Sequence, residues 1–207
     1  MMKLILKISI FCCVIFSFGY SQNKQDKSIK NEAVATFAQG CFWHSELVFQ
    51  SLVGVRDAVS GYAGGKSINP TYEEVSSGET GHAECVQVFY DPQKIAFKTL
   101  VMAYFFSMDP TKLNQQGNDI GTQYRSIVFY RNEEERKIIE EVIQSVNASK
   151  KFKSKIIAAI LPFTAFYPAE KYHQEYIKNN PANPYVKNVC YPEYLHFRQT
   201  FKGVFKE

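Results

Sequence analysis

The chain of 207 residues contains no CxxC pair, and its four histidines, His44, His82, His173 and His196, never fall at the spacing of a metal-ligand pair. Zinc ribbons and thioredoxin-like dithiol motifs therefore have no foothold, and neither a metal nor an organic cofactor is expected. Five cysteines are too few for a disulfide-stapled mini-domain. A dominant charge is missing as well: 24 Lys and Arg against 20 Asp and Glu leave a mild +4. The basic residues are spread out apart from residues 150–155 (KKFKSK at their core), which read as a solvated helix end, so nucleic acid is not an expected partner. No internal repeat or low-complexity tract appears, and no apolar run reaches the roughly 20 residues of a comfortable membrane span.

What is present suits one packed domain: 45% of residues are hydrophobic and 15% aromatic. The first 21 residues differ from the rest. Lys3 and Lys7 flank the start of an apolar run at residues 8–18, and small residues follow at Gly19 and Ser21. This is the layout of a secretory signal peptide cleaved after Ser21. The expected organisation is a signal peptide over 1–21, a polar spacer over 22–32 and one domain over 33–207. The product would be exported, to the periplasm or cell envelope, as a monomer without stable membrane insertion; a retained anchor is the alternative. Cys41, Cys85 and Cys190 then remain, and an odd number in an exported chain flags a reactive thiol.

Hydrophobic periodicity predicts strands over 34–39, 53–62, 85–90, 126–130 and 155–160. Helices are expected over 42–52, 97–108, 132–147 and 168–178, with a short one opening at Asn69-Pro70-Thr71 and Asn132 as an N-cap. Residues 109–123, rich in Gly, Asn and Gln, read as a long irregular loop, a frequent carrier of function. Beyond 178 the chain turns Pro- and aromatic-rich, an irregular C-terminal tail. Separated strands and helices of this kind indicate an α+β fold around a mixed, mostly antiparallel sheet with packed helices.

Three stretches carry chemistry. In Gly40-Cys41-Phe42-Trp43 a strand ends at a glycine and a helix begins at or just after the thiol. Free amides and the positive end of the helix dipole would favour a thiolate there, and the two aromatics would wall an apolar pocket. A buried cysteine acting as a small hydrophobe is the competing reading. In Gly81-His82-Ala83-Glu84 a carboxyl group opens an apolar strand; partial burial would raise its pKa and make it a general acid. Alternation places His82, Glu84 and Val86 on one face and Cys85 on the other, in the core. His82 reads as a structural hydrogen-bond partner. In residues 117–126 (GNDIGTQYRS) Asp119 and Tyr124 sit in a loop entering a strand, and Tyr72 is a further phenol of interest, though most of the 13 tyrosines must be packing.

Taken together, GCFW, GYAGG, NPTYEEV, GETGHAE, YDP, GNDIGTQYRS and FYPAEKYHQEY occur in the order and spacing of the A class of peptide methionine sulfoxide reductases. The resemblance runs from about residue 34 to 176. It implies a ferredoxin-like α+β fold and a cofactor-free reductase acting on methionine S-sulfoxide, free or in proteins. In that class Cys41 corresponds to the nucleophile and Glu84 to the acid that protonates the sulfoxide oxygen. Tyr72 and Tyr124 correspond to hydrogen-bond donors, Asp119 to a group organising the pocket, and Phe42 and Trp43 to the walls around the substrate methyl group. The cysteine would become a sulfenic acid, be resolved by a second thiol as a disulfide, and be recycled by a thioredoxin-like reductant.

Two departures stand out. His44 occupies a position where this class commonly has Gly, and reads either as solvated or as a partner that favours the Cys41 thiolate. The tail has Val186 where a resolving thiol is often found, with Cys190 four residues later as the candidate; otherwise an external thiol does the work. The rival readings are a Cys–His hydrolase pairing Cys41 with His82 or His173, and an exported binding module that uses its aromatic surface.

Overall fold

In a computed structural model, residues 31–207 are described; the expected signal peptide and nearly all of the spacer lie outside the described residues. At the border, Arg56 holds Glu32 through two hydrogen bonds of 2.6 and 3.0 Å. The next residue begins β1 (Ala33–Gln39), an apolar strand whose inner residues are buried on both faces. It lies at the centre of a six-stranded sheet with β2 (Val55–Ala63), β3 (Ala83–Tyr90), β6 (Ser126–Tyr130), β7 (Ala159–Pro162) and β8 (Phe166–Pro168), in the order β7-β6-β1-β3-β2-β8. Every neighbouring pair is antiparallel except β6 and β7. The α+β architecture and the mostly antiparallel sheet are as the alternation indicated.

Side-chain alternation divides the core in two. Ala35, Phe37, Ala58, Tyr62, Val86 and Val88 point to the face covered by helices α1 (Phe42–Gln50) and α3 (Phe97–Phe106), with α4 (Glu133–Ala148) and α6 (Tyr191–Thr200) completing that layer. Phe37 stacks on Phe49 at 4.8 Å and packs on Tyr104 at 5.6 Å; each such ring removed from water stabilises the fold by roughly 1.5–3 kcal/mol. Ala38, Ala63, Ala83, Cys85, Ile127 and Phe129 face the other way under Phe163 and Phe166. Cys85 is completely buried there, its thiol donating to the Gly61 carbonyl at 3.5 Å, the core position its strand parity requires.

Residues 33–108 and 126–148 follow the sequence pattern closely, down to the Asn132 cap, whose Oδ1 accepts from the Glu135 amide at 2.9 Å. Four expectations change. Residues 109–123 are not irregular throughout: β4 (Gln115–Gln116) and β5 (Asp119–Ile120) form a hairpin closed by Gly117 at φ +56°, and a 3-10 turn (Thr122–Tyr124) follows. The last expected strand is shifted to β7, where its partner β6 runs parallel and is reached only through α4. Residues 168–178 are not one helix, because β8 pairs with β2 up to Pro168; a 3-10 turn (Lys171–His173) and α5 (Tyr176–Asn179) come after it. The tail is ordered as a π-helical turn (Val186–Cys190) running into α6, pinned by Tyr194, Phe197 and Phe201 in the main core.

Candidate active site

Cys41 stands at the corner between β1 and α1. The corner works because Gly40 has φ +79°, and a Cβ there would come within 2.5 Å of the Gln116 Cβ on the β4–β5 hairpin. The glycine therefore lets the hairpin close onto the strand end. The first amides of α1 are taken up by the site itself: Phe42 N–H donates to Glu84 Oε2 at 3.1 Å, and the Trp43 amide bonds the Cys41 thiol. The expectation of a lowered thiol pKa does not hold in this resting arrangement. Burial pushes the Cys41 thiol well above its ordinary value, helped by a hydrogen bond with the Cys190 thiol and by the neighbouring Glu84; the Trp43 amide only partly offsets this.

Glu84 is paired across the sheet with Tyr62 and is 2% exposed. Burial raises its carboxyl to about 8, against the Phe42 amide, which lowers it, and with a further push from Asp119. The group is thus an acid at neutral pH, and the strand-opening position produces it because β2 and α1 enclose that end of β3.

Cys41, Phe42, Trp43, Tyr72, Glu84, Asp119 and Tyr124 all line one cavity of about 180 Å³. Every catalytic and substrate-wall residue expected from the sequence is in it, brought from α1, α2 (Tyr72–Ser76), β3, β5 and the 3-10 turn. Burial raises the phenols of Tyr72 and Tyr124, and the Glu84 charge adds to this, so both remain hydrogen-bond donors. The eighth lining residue, Tyr185, is not among the candidates that local sequence pattern picks out. Its hydroxyl donates a hydrogen bond to Asp119 Oδ2, tying the C-terminal segment to the hairpin. Asp119 is raised by burial and lowered by that bond.

A supporting layer fixes the walls. Trp43 Nε1–H donates to His173 Nδ1 at 3.0 Å, and its ring stacks on Tyr176 at 3.7 Å and 6°. Glu170 accepts from the Tyr62 hydroxyl and from the Tyr72 amide, both at 2.9 Å, and so locks the start of α2. The signal for both lay in the AEKYHQEY run, whose residues 170, 173 and 176 all turn toward the cavity walls.

The remaining candidates divide. Cys190 is not among the residues lining the cavity, yet its thiol hydrogen-bonds that of Cys41, and neither is in a disulfide. His44 is neither solvated nor bonded to the Cys41 thiol: it is 4% exposed, with Nδ1 3.4 Å from the Cys190 carbonyl and Nε2 3.1 Å from that of Ser107. His82 bonds the Gly65 amide through Nδ1 at 3.1 Å and the Ser67 carbonyl through Nε2 at 2.9 Å. With both nitrogens committed to backbone, and with His173 committed to Trp43, neither is placed as the base of a hydrolase.

A thiol, a neutral buried carboxyl group and two phenols around a half-apolar cavity define a cysteine-dependent enzyme for a small substrate group that bears an oxygen needing donors and an apolar end needing a wall. Residues 33–204 match the family model described as peptide methionine sulfoxide reductase. The chain is 46% identical over 170 residues to the peptide methionine sulfoxide reductase MsrA of Picrophilus torridus, covering 82% of this chain and 96% of the relative. It is 42% identical over 179 residues to that of Polynucleobacter asymbioticus, covering 86% and 94%. Among solved structures it resembles Mxr1 of Saccharomyces cerevisiae in reduced form, with a TM-score of 0.68, 32% identity, and 85% of this chain and 93% of the other covered. The methionine sulfoxide reductase A of Corynebacterium diphtheriae gives 0.67, 34%, 74% and 77%. The chain belongs to the peptide methionine sulfoxide reductase family, and it is a thiol-dependent oxidoreductase of the A class.

Proposed function

We propose that the cavity reduces methionine S-sulfoxide, free or in proteins, to methionine. The observation that carries this reading is a carboxyl group held near 8 beside a thiol in a cavity walled by Phe42 and Trp43. The sulfoxide oxygen sits among Glu84, Tyr72 and Tyr124, and the S-methyl group against the two aromatic rings. Cys41 Sγ attacks the sulfoxide sulfur as Glu84 protonates the oxygen; an S–S bond forms, the S–O bond breaks, and the oxygen leaves as water with the Glu84 proton and the thiol proton. Water then attacks Cys41 Sγ, the S–S bond breaks and methionine leaves. The water oxygen stays on Cys41 as the sulfenic acid, and Glu84 takes back the proton that the water releases. Asp119, fixed by Tyr185, holds the polar rim. Cys190 then displaces the hydroxyl as water and closes a Cys41–Cys190 disulfide, which a thioredoxin-like dithiol reduces.

The test is turnover of methionine S-sulfoxide with dithiothreitol by the wild type, Cys41→Ser and Cys190→Ser. The reading expects loss in Cys41→Ser and loss of only thioredoxin-supported turnover in Cys190→Ser. A Cys41→Ser variant that still produces methionine overturns it. The same reading takes the protein to be an exported monomer, with residues 1–21 removed as a signal peptide. N-terminal sequencing of the mature protein from the envelope fraction tests the export, and sedimentation tests the monomer.

A further inference from the structure

His44 belongs to no part of the reductase step, yet it is buried in the first turn of α1, three residues after Cys41. Its two ring nitrogens face two carbonyl oxygens, of Cys190 at 3.4 Å and of Ser107 at 3.1 Å. Both oxygens are acceptors only, so the ring serves them solely as a donor, one at a time when neutral. The two carbonyls belong to different elements: Ser107 caps the end of α3, and Cys190 closes the π-helical turn before α6. The Ser107 side is itself braced, its hydroxyl receiving Gln39 Nε2–H at 3.1 Å and donating to the Tyr104 carbonyl at 3.1 Å. His44 therefore stands between a fixed anchor and the turn that carries the second thiol.

We propose that His44 is the positioning residue of the resolving step: it holds the Cys190 backbone so that the second thiol stays in reach of the Cys41 sulfenic acid. This rests on the resolving role proposed above for Cys190. A disulfide tolerates only a narrow range of Cα separation and torsion, and Cys41 is fixed as the cap of α1 while Cys190 lies in the π-helical turn, so a small drift of that turn takes the thiols out of range. A π-helical turn is a rare departure from α-helical spacing, and here His44 stands between it and the end of α3. In the resolving step the Cys190 sulfur bonds Cys41 Sγ, the S–OH bond breaks, and the hydroxyl leaves with the Cys190 proton as water. No other reactant enters. His44 acts through the Cys190 carbonyl, and its two ring-nitrogen contacts go to carbonyl oxygens and not to a sulfur.

The experiment is a single turnover with excess methionine S-sulfoxide and no reductant, on wild type, His44→Ala and His44→Gln. Methionine is quantified as the burst; Cys41–Cys190 disulfide and a dimedone adduct of the Cys41 sulfenic acid are quantified by mass spectrometry. In His44→Ala the burst should keep its wild-type rate while disulfide closure slows roughly 10-fold or more, with the dimedone adduct accumulating. His44→Gln, whose amide N–H still reaches a carbonyl, should recover part of the closing rate. The unchanged burst shows that the variant is folded with its cavity intact. Closure at the wild-type rate in His44→Ala overturns the proposal, and so does a burst slowed as much as closure, which would make the effect a general one. A wild type that makes methionine but never forms the disulfide overturns the role of Cys190 and this inference together. A wild type that makes no methionine at all strikes the proposed activity instead, and the outcomes are told apart in one assay.

Discussion

At the scale of single residues, the site depends on one inverted acidity. Glu84 is neutral at pH 7 because burial outweighs the Phe42 amide that would favour its charge. A group that must donate a proton is competent below its pKa, so kcat/KM should fall as pH rises through about 8. In Glu84→Gln that descending limb should vanish, and the remaining rate should be lower by about 10²–10⁴-fold, the usual worth of a placed general acid. A pH–rate profile for both proteins checks this; a wild-type profile flat to pH 10 would remove Glu84 from the acid role. Tyr185 makes a second residue-scale claim. Its hydroxyl lowers the Asp119 pKa against burial, so in Tyr185→Phe the Asp119 carboxyl should titrate at higher pH, read by carboxyl-selective NMR. These two residues were unequally legible. Glu84 announces itself as an acid opening an apolar strand. Tyr185 is one phenol among 13, and its partner is 66 positions away in sequence, a distance over which local pattern carries nothing.

At the scale of elements, the strand–glycine–helix corner was readable because each part has a local cause: alternation in β1, a glycine where φ turns positive, and helical spacing in α1. The C-terminal elements were not, for the opposite reason. The strand β8 exists only as three residues paired on β2, and the π-helical turn has neither the 3.6 nor the 2.0 period that sequence patterns reveal. The hairpin of β4 and β5 was hidden in a Gly-, Asn- and Gln-rich stretch whose two-residue strands are too short to show alternation. Its seating against Gly40 gives an element-scale prediction. Gly40→Ala adds a Cβ 2.5 Å from the Gln116 Cβ at a φ that a side chain disfavours, so the variant should lose roughly 1–3 kcal/mol in urea unfolding. Gln116→Gly in the same chain removes the collision but not the backbone cost, and should restore part of the loss. A fully stable Gly40→Ala would show that the corner and the hairpin move apart easily.

At the scale of the whole molecule, the order of the six strands was beyond the sequence, because β1 pairs with β3 and β6 rather than with its chain neighbour, and such choices are settled by how the faces bury. That burial also takes in a second carboxyl group with no part in the reaction. Glu46 is 2% exposed and held at about 7; burial is the cause, partly offset by hydrogen bonds from Ser60 Oγ at 2.6 Å and the Glu175 amide at 2.7 Å. It joins α1 to β2 and to the segment that carries His173 and Tyr176 to the cavity wall. The sign of its effect on stability follows from linkage. An unfolded Glu ionises near 4.3, whereas the folded one holds its proton to about 7, so across this interval the native state binds more protons and stability falls as pH rises. Glu84 acts in the same direction up to about 8. Replacing Glu46 with Gln keeps a neutral side chain of the same length at every pH. The variant should therefore match the wild type most closely near pH 4 and gain on it steadily up to about pH 7, by an amount on the order of 3–4 kcal/mol at pH 8. Urea unfolding of both proteins at pH 4, 6 and 8 measures the difference directly. A stability gap that does not change with pH would mean that Glu46 folds already ionised, and that its three hydrogen-bond partners, Ser60, Gln50 and the Glu175 amide, offset burial in full.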